Sequence, residues 1–124
     1  MKIDKADKLF SLYIRTRDGW KCCRCHTQYE PPTTGLQNSH FWGRGNEATR
    51  FDPENCQALC MRCHMFLGAN PEEHRAFMFQ KLGEEKYIAL MKRAKSVVKR
   101  NRERSYIEVK KLWDCLSKKQ SLSM

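Results

Sequence analysis

The chain has 124 residues, enough for one domain with a small core, and it carries a net charge of +10. It has no apolar run long enough to span a membrane, and its charged N-terminus lacks the apolar stretch of a signal peptide. We therefore expect an intracellular, cytoplasmic protein. The charge favours a polyanionic partner, most commonly nucleic acid, over a membrane surface.

The first half of the chain predicts a helix, a tight turn and two short strands that lead into a second helix. These elements cover residues 4–17 (helix), 21–26 (turn), 36–41 and 56–59 (strands) and about 60–67 (helix). A loop at 42–50, predicted to be exposed, and a turn at 52–55 join the two strands. The predicted order is therefore strand, loop, strand, helix.

The second half of the chain predicts mainly helices. Asn70 is a predicted N-cap, Pro71 suits the first helical position, and Glu73 completes a capping box for a helix that ends at Gly83. A further helix is predicted over about 84–100, and residues 101–118 either continue it or form another; residues 117–124 are predicted to be a frayed tail. We expect residues 1–70 to form the core. Residues 71–124 then form a basic helical extension, packed on the core or extending from it, within a single domain overall.

Two Cys-x-x-Cys pairs, Cys22/Cys25 and Cys60/Cys63, are the most informative motif. Each has the spacing of a zinc knuckle, and four thiolates in a tetrahedron make a closed structural Zn²⁺ site. Intracellular thiols stay reduced, and an odd number of cysteines, seven, argues against a complete disulfide framework. The alternative is two independent buried or redox-active pairs, which the matching spacing disfavours. Cys23 can in principle replace Cys22. The cysteines outside the predicted site are Cys23, Cys56 and Cys115.

Three residues near these pairs are candidates for chemistry. A neutral imidazole at His40 can take a proton from water, since histidine titrates near physiological pH. Asn55 can pin the loop between the strands through backbone hydrogen bonds. His64 directly follows Cys63, can point away from the zinc, and suits a divalent catalytic metal. The alternatives are a histidine with a structural hydrogen bond, an ordinary turn asparagine, and a histidine that is an unused neighbour of the zinc.

Basic residues supply a predicted surface for phosphates. Arg44 and Arg50 flank the glycine-bearing loop, where each can hold a phosphate bidentately or simply be solvated. Residues 86–111 contain ten Lys/Arg and two Glu, and so carry most of the net charge. We expect this stretch to grip backbone phosphates without reading base sequence. The predicted DNA-binding residues are Arg44, Arg50, Lys92, Arg93, Lys95, Lys99, Arg100, Arg102 and Arg104.

Taken together, His40, Asn55 and His64 around two Cys-x-x-Cys pairs resemble the zinc-bearing HNH endonucleases. The segment 55–64, Asn-Cys-Gln-Ala-Leu-Cys-Met-Arg-Cys-His, is close to that family's most typical stretch. More narrowly, the chain is similar to the phage NinG family, also called Rap, of recombination endonucleases. The resemblance covers about residues 7–71. The segments that carry the narrower likeness are 9–15, 17–19, 39–41 and 48–55.

The resemblance implies an α+β fold in which a small zinc-stabilised ββα-metal finger is flanked by an N-terminal helix and basic C-terminal helices. It implies that His40 is the general base, Asn55 the loop organiser and His64 a ligand of a catalytic Mg²⁺ or Mn²⁺. It also implies hydrolysis of phosphodiester bonds in branched DNA, at a rate that rises with pH as His40 loses its proton. Ser39 stands where many HNH enzymes have a metal-binding Asp or His. The metal then takes more water, binds weakly, or recruits another residue such as Asn70.

Two other functions fit part of the pattern. A non-catalytic, zinc-containing recombination accessory protein that binds nucleic acid would need the thiolates and the basic helices, but neither His40 nor His64. A zinc-stabilised protein-interaction domain would not need the charge. A homodimer fits the paired incisions of junction resolution, and apolar positions within 107–116 either supply its interface or pack on the finger.

Overall fold

The structure, a computed structural model, describes residues 2–123. Over this range the chain is α+β, with five α-helices and one two-stranded antiparallel sheet, so the predicted class is confirmed. No helix in this range is long and apolar enough to cross a bilayer. The elements are α1 Lys5–Arg17, β1 Leu36–His40, β2 Cys56–Cys60, α2 Met61–Ala69, α3 Pro71–Leu82, α4 Glu84–Ala94 and α5 Arg102–Ser123.

Helix α1 begins at a reciprocal pair of aspartates. Asp4 Oδ1 accepts a hydrogen bond from the Asp7 N–H at 3.1 Å, and Asp7 Oδ2 accepts one from the Asp4 N–H at 2.9 Å. This capping box satisfies two backbone donors at the start of the helix. Ala6, Phe10 and Ile14 recur every fourth residue and are buried, which gives the helix the apolar face that predicted it.

The sheet leads directly into α2. Leu36 pairs with Cys60 at one end of the ladder and His40 with Cys56 at the other. Cys60 is both the last residue of β2 and the N-cap of α2, because its Sγ accepts a hydrogen bond from the Cys63 N–H at 3.5 Å. Both predicted strands and the helix after them are therefore present.

The segment between the strands is more ordered than an exposed loop. It contains two short 3-10 turns, Glu47–Thr49 and Pro53–Asn55. Thr49 and Arg50 are buried, at 0% and 5% exposure. The prediction of an exposed loop over residues 42–50 is therefore wrong at its C-terminal end, where the chain turns inward to meet α1.

The C-terminal half corrects three predictions. The capping box at α3 is absent, because the Asn70 amide instead donates to the Phe66 carbonyl at 2.7 Å. Helix α4 ends at Ala94, and residues 95–101 separate it from α5. Helix α5 continues to Ser123, so no frayed tail begins at residue 117; Met124 lies outside the described residues.

Two apolar clusters form the core. One surrounds the cysteine pairs and consists of Cys22, Leu36, Ala58, Leu59, Cys60, Cys63 and Leu67, with Trp20, Tyr29 and Phe77 packed against it. The other lies between α1, α5 and β2 and consists of Ala6, Phe10, Ile14, Cys56 and Val109, with Leu9, Tyr13, Phe51, Tyr106 and Leu112 around it. Helix α5 thus turns back onto α1, and some of its apolar residues pack on the protein itself.

Candidate functional site

The four predicted zinc ligands come together. The Sγ atoms of Cys22, Cys25, Cys60 and Cys63 all lie within 4.8 Å of one another. Cys25 Sγ and Cys60 Sγ, from different pairs, are 3.8 Å apart. Four sulfurs at about 2.3 Å from one zinc in a tetrahedron would stand about 3.8 Å apart, so this spacing fits the metal.

Both cysteine pairs have the same local geometry. The Cys25 N–H points at Cys22 Sγ, and the Cys63 N–H points at Cys60 Sγ, each at 3.5 Å. In the first pair, His26 closes the turn with φ of 64°, and its N–H donates to the Cys22 carbonyl at 2.9 Å. Such N–H···S bonds favour thiolates, which are the form that ligates zinc.

The thiols differ in their electrostatics. Hydrogen bonds from Thr27 lower the pKa of the Cys25 thiol to about 6, whereas burial raises the pKa of the Cys63 thiol to about 12. The Arg24 guanidinium lies 3.4 Å from Cys63 Sγ and partly offsets that burial. A soft divalent cation would stabilise all four thiolates together, so the donor set fits a structural metal such as zinc.

The three remaining cysteines lie outside the cluster. Cys23 Sγ donates to Asp18 Oδ2 at 3.3 Å, and burial raises the pKa of its thiol to about 12. Cys56 is buried between α1 and β2, and Cys115 is exposed. Cys22, rather than Cys23, therefore shares the cluster with Cys25.

His40 ends β1 with one ring nitrogen already engaged. Its Nε2–H donates to the Arg50 carbonyl at 3.0 Å, which leaves the lone pair on Nδ1. Burial, with smaller contributions from the charges of Arg44 and Arg50, lowers the pKa of His40 to about 4. The expectation of a titration near neutral pH is therefore wrong, and His40 is a neutral base over the physiological range.

Asn55 fastens the segment between the strands. The residue is fully buried, its Nδ2 donates to the carbonyls of Trp42 at 2.8 Å and Thr49 at 3.0 Å, and its Oδ1 accepts from the Trp42 N–H at 2.8 Å. One amide thus bonds to both the start and the later part of the loop. The next residue after Thr49 is Arg50, whose carbonyl holds His40.

His64 lies in the first turn of α2. Its Nδ1 is 3.0 Å from the hydroxyl of Ser39, which is buried in the neighbouring strand β1. If Nδ1 carries the proton and donates to that oxygen, Nε2 is free to bind a metal. Ser39, a poor metal ligand, is thus placed to orient the histidine.

Two cavities meet at these histidines. The arginine cavity, about 520 Å³, is lined by residues that include Arg15, Asn38 and Arg44. The histidine cavity, about 410 Å³, is lined by residues that include Ser39 and His74. His40, Gly43 and His64 line both, so the two imidazoles share one wall between them.

Arg50 corrects a prediction, because it is not a surface ligand for phosphate. Its Nε donates to Asp7 Oδ1 at 2.9 Å and its Nη2 to Asp7 Oδ2 at 2.6 Å, and both side chains are buried. The Arg50 guanidinium therefore anchors the loop to α1, while its carbonyl holds His40. Asp7 carries no recognisable motif, and it is 43 positions from its partner.

Two more of the predicted DNA-binding arginines bond within the protein. Arg93 Nε donates to Asp52 Oδ2 at 2.7 Å and its Nη2 to Glu54 Oε1 at 3.0 Å, which ties α4 to the turn before β2. Arg100 donates to the carboxylate of Asp4 and so joins the start of α5 to the start of α1. These ion pairs give both arginines structural contacts.

The remaining predicted DNA contacts are available at the surface. Arg44 lines the arginine cavity and lies 3.7 Å from Asp7. The others are exposed and form no ion pair with any residue in the range 2–123; they are Lys92, Lys95, Lys99, Arg102 and Arg104.

Two residues of the site carried no sequence signal. His74 lies in α3, ten positions after His64, and reaches the histidine cavity only because the chain folds back after α2. Asn38 lies two residues before His40 on β1, and neither of its amide atoms has a hydrogen-bond partner among the described residues. Asn70, the predicted substitute ligand, lines neither cavity.

The family model described as Bacteriophage Lambda NinG protein matches residues 2–120. The chain belongs to the NinG family. No curated protein and no solved structure gives a significant match.

The NinG match extends beyond the segments that carried the resemblance in the sequence. It includes both cysteine pairs and the candidate site histidines His40 and His64. It also continues through α3, α4 and most of α5. The predicted NinG membership is confirmed. The region of the C-terminal helices therefore lies within the NinG match, up to residue 120.

Proposed function

We propose that this NinG family member is a metal-dependent DNA endonuclease of the HNH type, in which β1, β2 and α2 form the ββα-metal finger. One observation carries the proposal. The half-buried His40, whose pKa is lowered to about 4, bonds through Nε2 to a carbonyl, has no partner for Nδ1 among the described residues, and lines the same two cavities as His64. A base and a metal ligand on one wall are what phosphodiester hydrolysis requires.

The chain's residues divide the chemistry as follows. His40 Nδ1 takes a proton from water, the water oxygen forms a bond to phosphorus, and the bond from phosphorus to the leaving oxygen breaks. The Arg50 carbonyl stabilises the resulting imidazolium through Nε2–H, and Asn55 holds the loop that carries this carbonyl. A divalent cation such as Mg²⁺ or Mn²⁺ at His64 would neutralise charge on the phosphate and on the leaving oxygen.

The substrate is proposed from charge and family. The exposed cations of α4, α5 and the segment between them suit backbone phosphates, which carry no base information. Branched DNA recombination intermediates are the proposed substrates, because structure rather than sequence would then select the site. Paired incisions at a junction would be served by a homodimer.

Cleavage assays with matched variants test this function. Purified protein is incubated with a four-way junction, a fork and a linear duplex in Mn²⁺ or Mg²⁺. We expect nicks in the branched substrates, loss of nicking in His40→Ala, and DNA binding by both proteins. His26→Asn is the control, since His26 is an exposed histidine that lines neither cavity and asparagine tolerates its positive φ.

The outcomes separate the candidate functions. Equal cleavage by wild type and His40→Ala would remove His40 from the mechanism. A salt-sensitive shift of branched DNA without any cleavage would support the accessory binding protein instead. Neither binding nor cleavage would point to an interaction domain.

A further inference from the structure

The ring of His64 has one nitrogen committed and one available. Nδ1 is within hydrogen-bond distance of the Ser39 hydroxyl, and within residues 2–123 no protein group is bonded to Nε2. Histidines that bind metals commonly hold the second ring N–H in a hydrogen bond of this kind, which fixes the tautomer and the ring orientation. Ser39 therefore prepares His64 to coordinate through Nε2.

His74 is a second imidazole at the same cavity. It is 8% exposed, and its ring packs edge-on to Phe41 with 4.9 Å between the centroids. The ring has no hydrogen-bond partner among the described residues. Because His74 lines the histidine cavity and its ring nitrogens bond to no described residue, they are available to a ligand in that cavity.

The two histidines are electrostatically linked. Burial lowers the pKa of His74, and the charge of His64 lowers it further. The two rings are therefore near enough for a charge on one to affect the other.

The rest of the cavity wall indicates which cation is suitable. None of the described residues that line the histidine or the arginine cavity is Asp or Glu. Mg²⁺ usually relies on carboxylates in proteins and Mn²⁺ also prefers oxygen ligands, whereas imidazoles suit Co²⁺, Ni²⁺ and Zn²⁺. A wall with nitrogen donors and no carboxylate therefore disfavours Mg²⁺.

We propose that His74 joins His64 as a second protein ligand of the catalytic cation, and that this two-imidazole site selects Co²⁺ or Ni²⁺ over Mg²⁺. The proposal rests on the proposed nuclease function and names the donors of its metal. It also answers the question posed by Ser39, because a histidine from α3 replaces the donor that the serine cannot supply.

Calorimetry without DNA tests the site independently of cleavage. The protein is first saturated with Zn²⁺ at the cysteine cluster and then titrated with Mn²⁺, Ni²⁺ or Mg²⁺. We expect one further site, with affinity in the order Ni²⁺, Mn²⁺, Mg²⁺. His74→Ala and His64→Ala should each weaken Ni²⁺ binding by at least roughly tenfold, and His26→Asn, which keeps a residue that tolerates the positive φ, should bind like wild type.

NMR spectra of the wild-type protein test the same metal site even if a variant unfolds. The chain has four histidines, so their ring ¹⁵N resonances can be assigned individually. A second equivalent of Zn²⁺ should shift the ring signals of His64 and His74 and leave those of His26 unchanged. Unaltered Ni²⁺ affinity in a folded His74→Ala, or a His74 ring that does not respond, would overturn the proposal. Selective binding without DNA cleavage would keep the site and refute only the nuclease function.

Discussion

The histidine at the end of β1 illustrates how a single side chain is tuned. Partial burial lowers the pKa of His40 so that the ring is neutral near pH 7, and the Arg50 carbonyl selects the tautomer whose Nδ1 bonds to no residue in the range 2–123. The motif identifies this residue from sequence. The pKa of His40 depends on how far the loop between the strands buries its ring, and that burial cannot be predicted from the neighbouring sequence.

The expected pH dependence of cleavage follows from the lowered pKa of His40. Because the neutral form is the base and its pKa lies at about 4, activity is present above that value and is lost as the pH falls through it. We therefore expect initial rates that are nearly flat between about pH 5.5 and 8 at saturating metal. A tenfold rise per pH unit centred on the ordinary value of roughly 6.5 would show that His40 is not buried in the active form.

Asp7 and Arg50 form a buried pair whose loss should be severe. Asp7→Asn removes the nearest counter-charge of the buried Arg50 guanidinium and leaves Glu47 at 3.7 Å, so we expect the free energy of unfolding to fall by about 3 kcal/mol in chemical denaturation. Asp114→Asn is the control, because the Asp114 pair with Lys110 is exposed and should contribute nothing measurable. Equal stability of both variants would contradict the anchoring role.

The carboxyl group of Asp7 should also make the stability of the wild-type protein depend on pH. Burial alone would raise the pKa of Asp7, but hydrogen bonds and charge from Arg50 outweigh it and lower the pKa below its usual value. A depressed pKa contributes stability that is present above the unfolded value of about 3.9 and is lost as the pH falls below it. That loss should be absent in Asp7→Asn.

Among the elements, the loop between the strands was the least predictable. Its two ends were visible as a glycine-bearing segment and a proline turn, but its inward path was not. That path depends on Asn55 bonding back to Trp42 and on Arg50 reaching α1. Contacts between distant positions decide the loop, whereas α1 was predicted because its cap and apolar spacing are local.

Removing the Asn55 amide should open this loop. Asn55→Ala deletes three hydrogen bonds of a fully buried side chain, so we expect a lower melting temperature and a large loss of cleavage. Hydrogen exchange gives a specific measurement, because the Trp42 amide loses its acceptor and should exchange faster. Asn46→Ala, which removes a bond to the Ala94 carbonyl, should leave the Trp42 amide protected. Unchanged exchange at Trp42 in both variants would refute the role of Asn55.

The break between α4 and α5 also escaped the sequence. Residues 84–100 are rich in helix formers, so propensity predicted one continuous helix to Arg100. The structure ends α4 at Ala94, and Arg100 instead pairs with Asp4 at the start of α1. Val109 of α5 packs on α1 in the second apolar cluster, and tertiary contacts of this kind can outweigh helix propensity.

At the scale of the whole molecule, net charge is a poor guide to where nucleic acid binds. The net charge and the basic stretch over residues 86–111 could be recognised directly in the sequence. The structure divides the predicted cations into internal anchors, such as Arg50 and Arg100, and exposed residues, such as Lys92 and Lys95. Only burial and pairing distinguish the two groups, and neither is visible in a count of residues.

Zinc should support the fold of the whole chain, because the cysteine cluster joins the turn after α1 to the start of α2. Chelation or Cys60→Ser should lower the melting temperature by many degrees and reduce bound zinc below one equivalent. Zinc content and thermal melting measure this directly. Cys115→Ser, at an exposed cysteine outside the cluster, should retain both properties. Full zinc content in Cys60→Ser would show that the ligand set is wrong.

Cys60 is where these scales meet. Cys60 is the last residue of β2, and its Sγ caps α2 and lies within 4.8 Å of the other three Sγ atoms of the cysteine cluster. His64 follows one helical turn later. Transplanting only the hairpin and α2 into a new scaffold would leave behind two of the four sulfurs and the side chains that brace the hairpin. The smallest fragment expected to keep this structure in a new scaffold therefore includes α1 as well as the turn that contains Cys22.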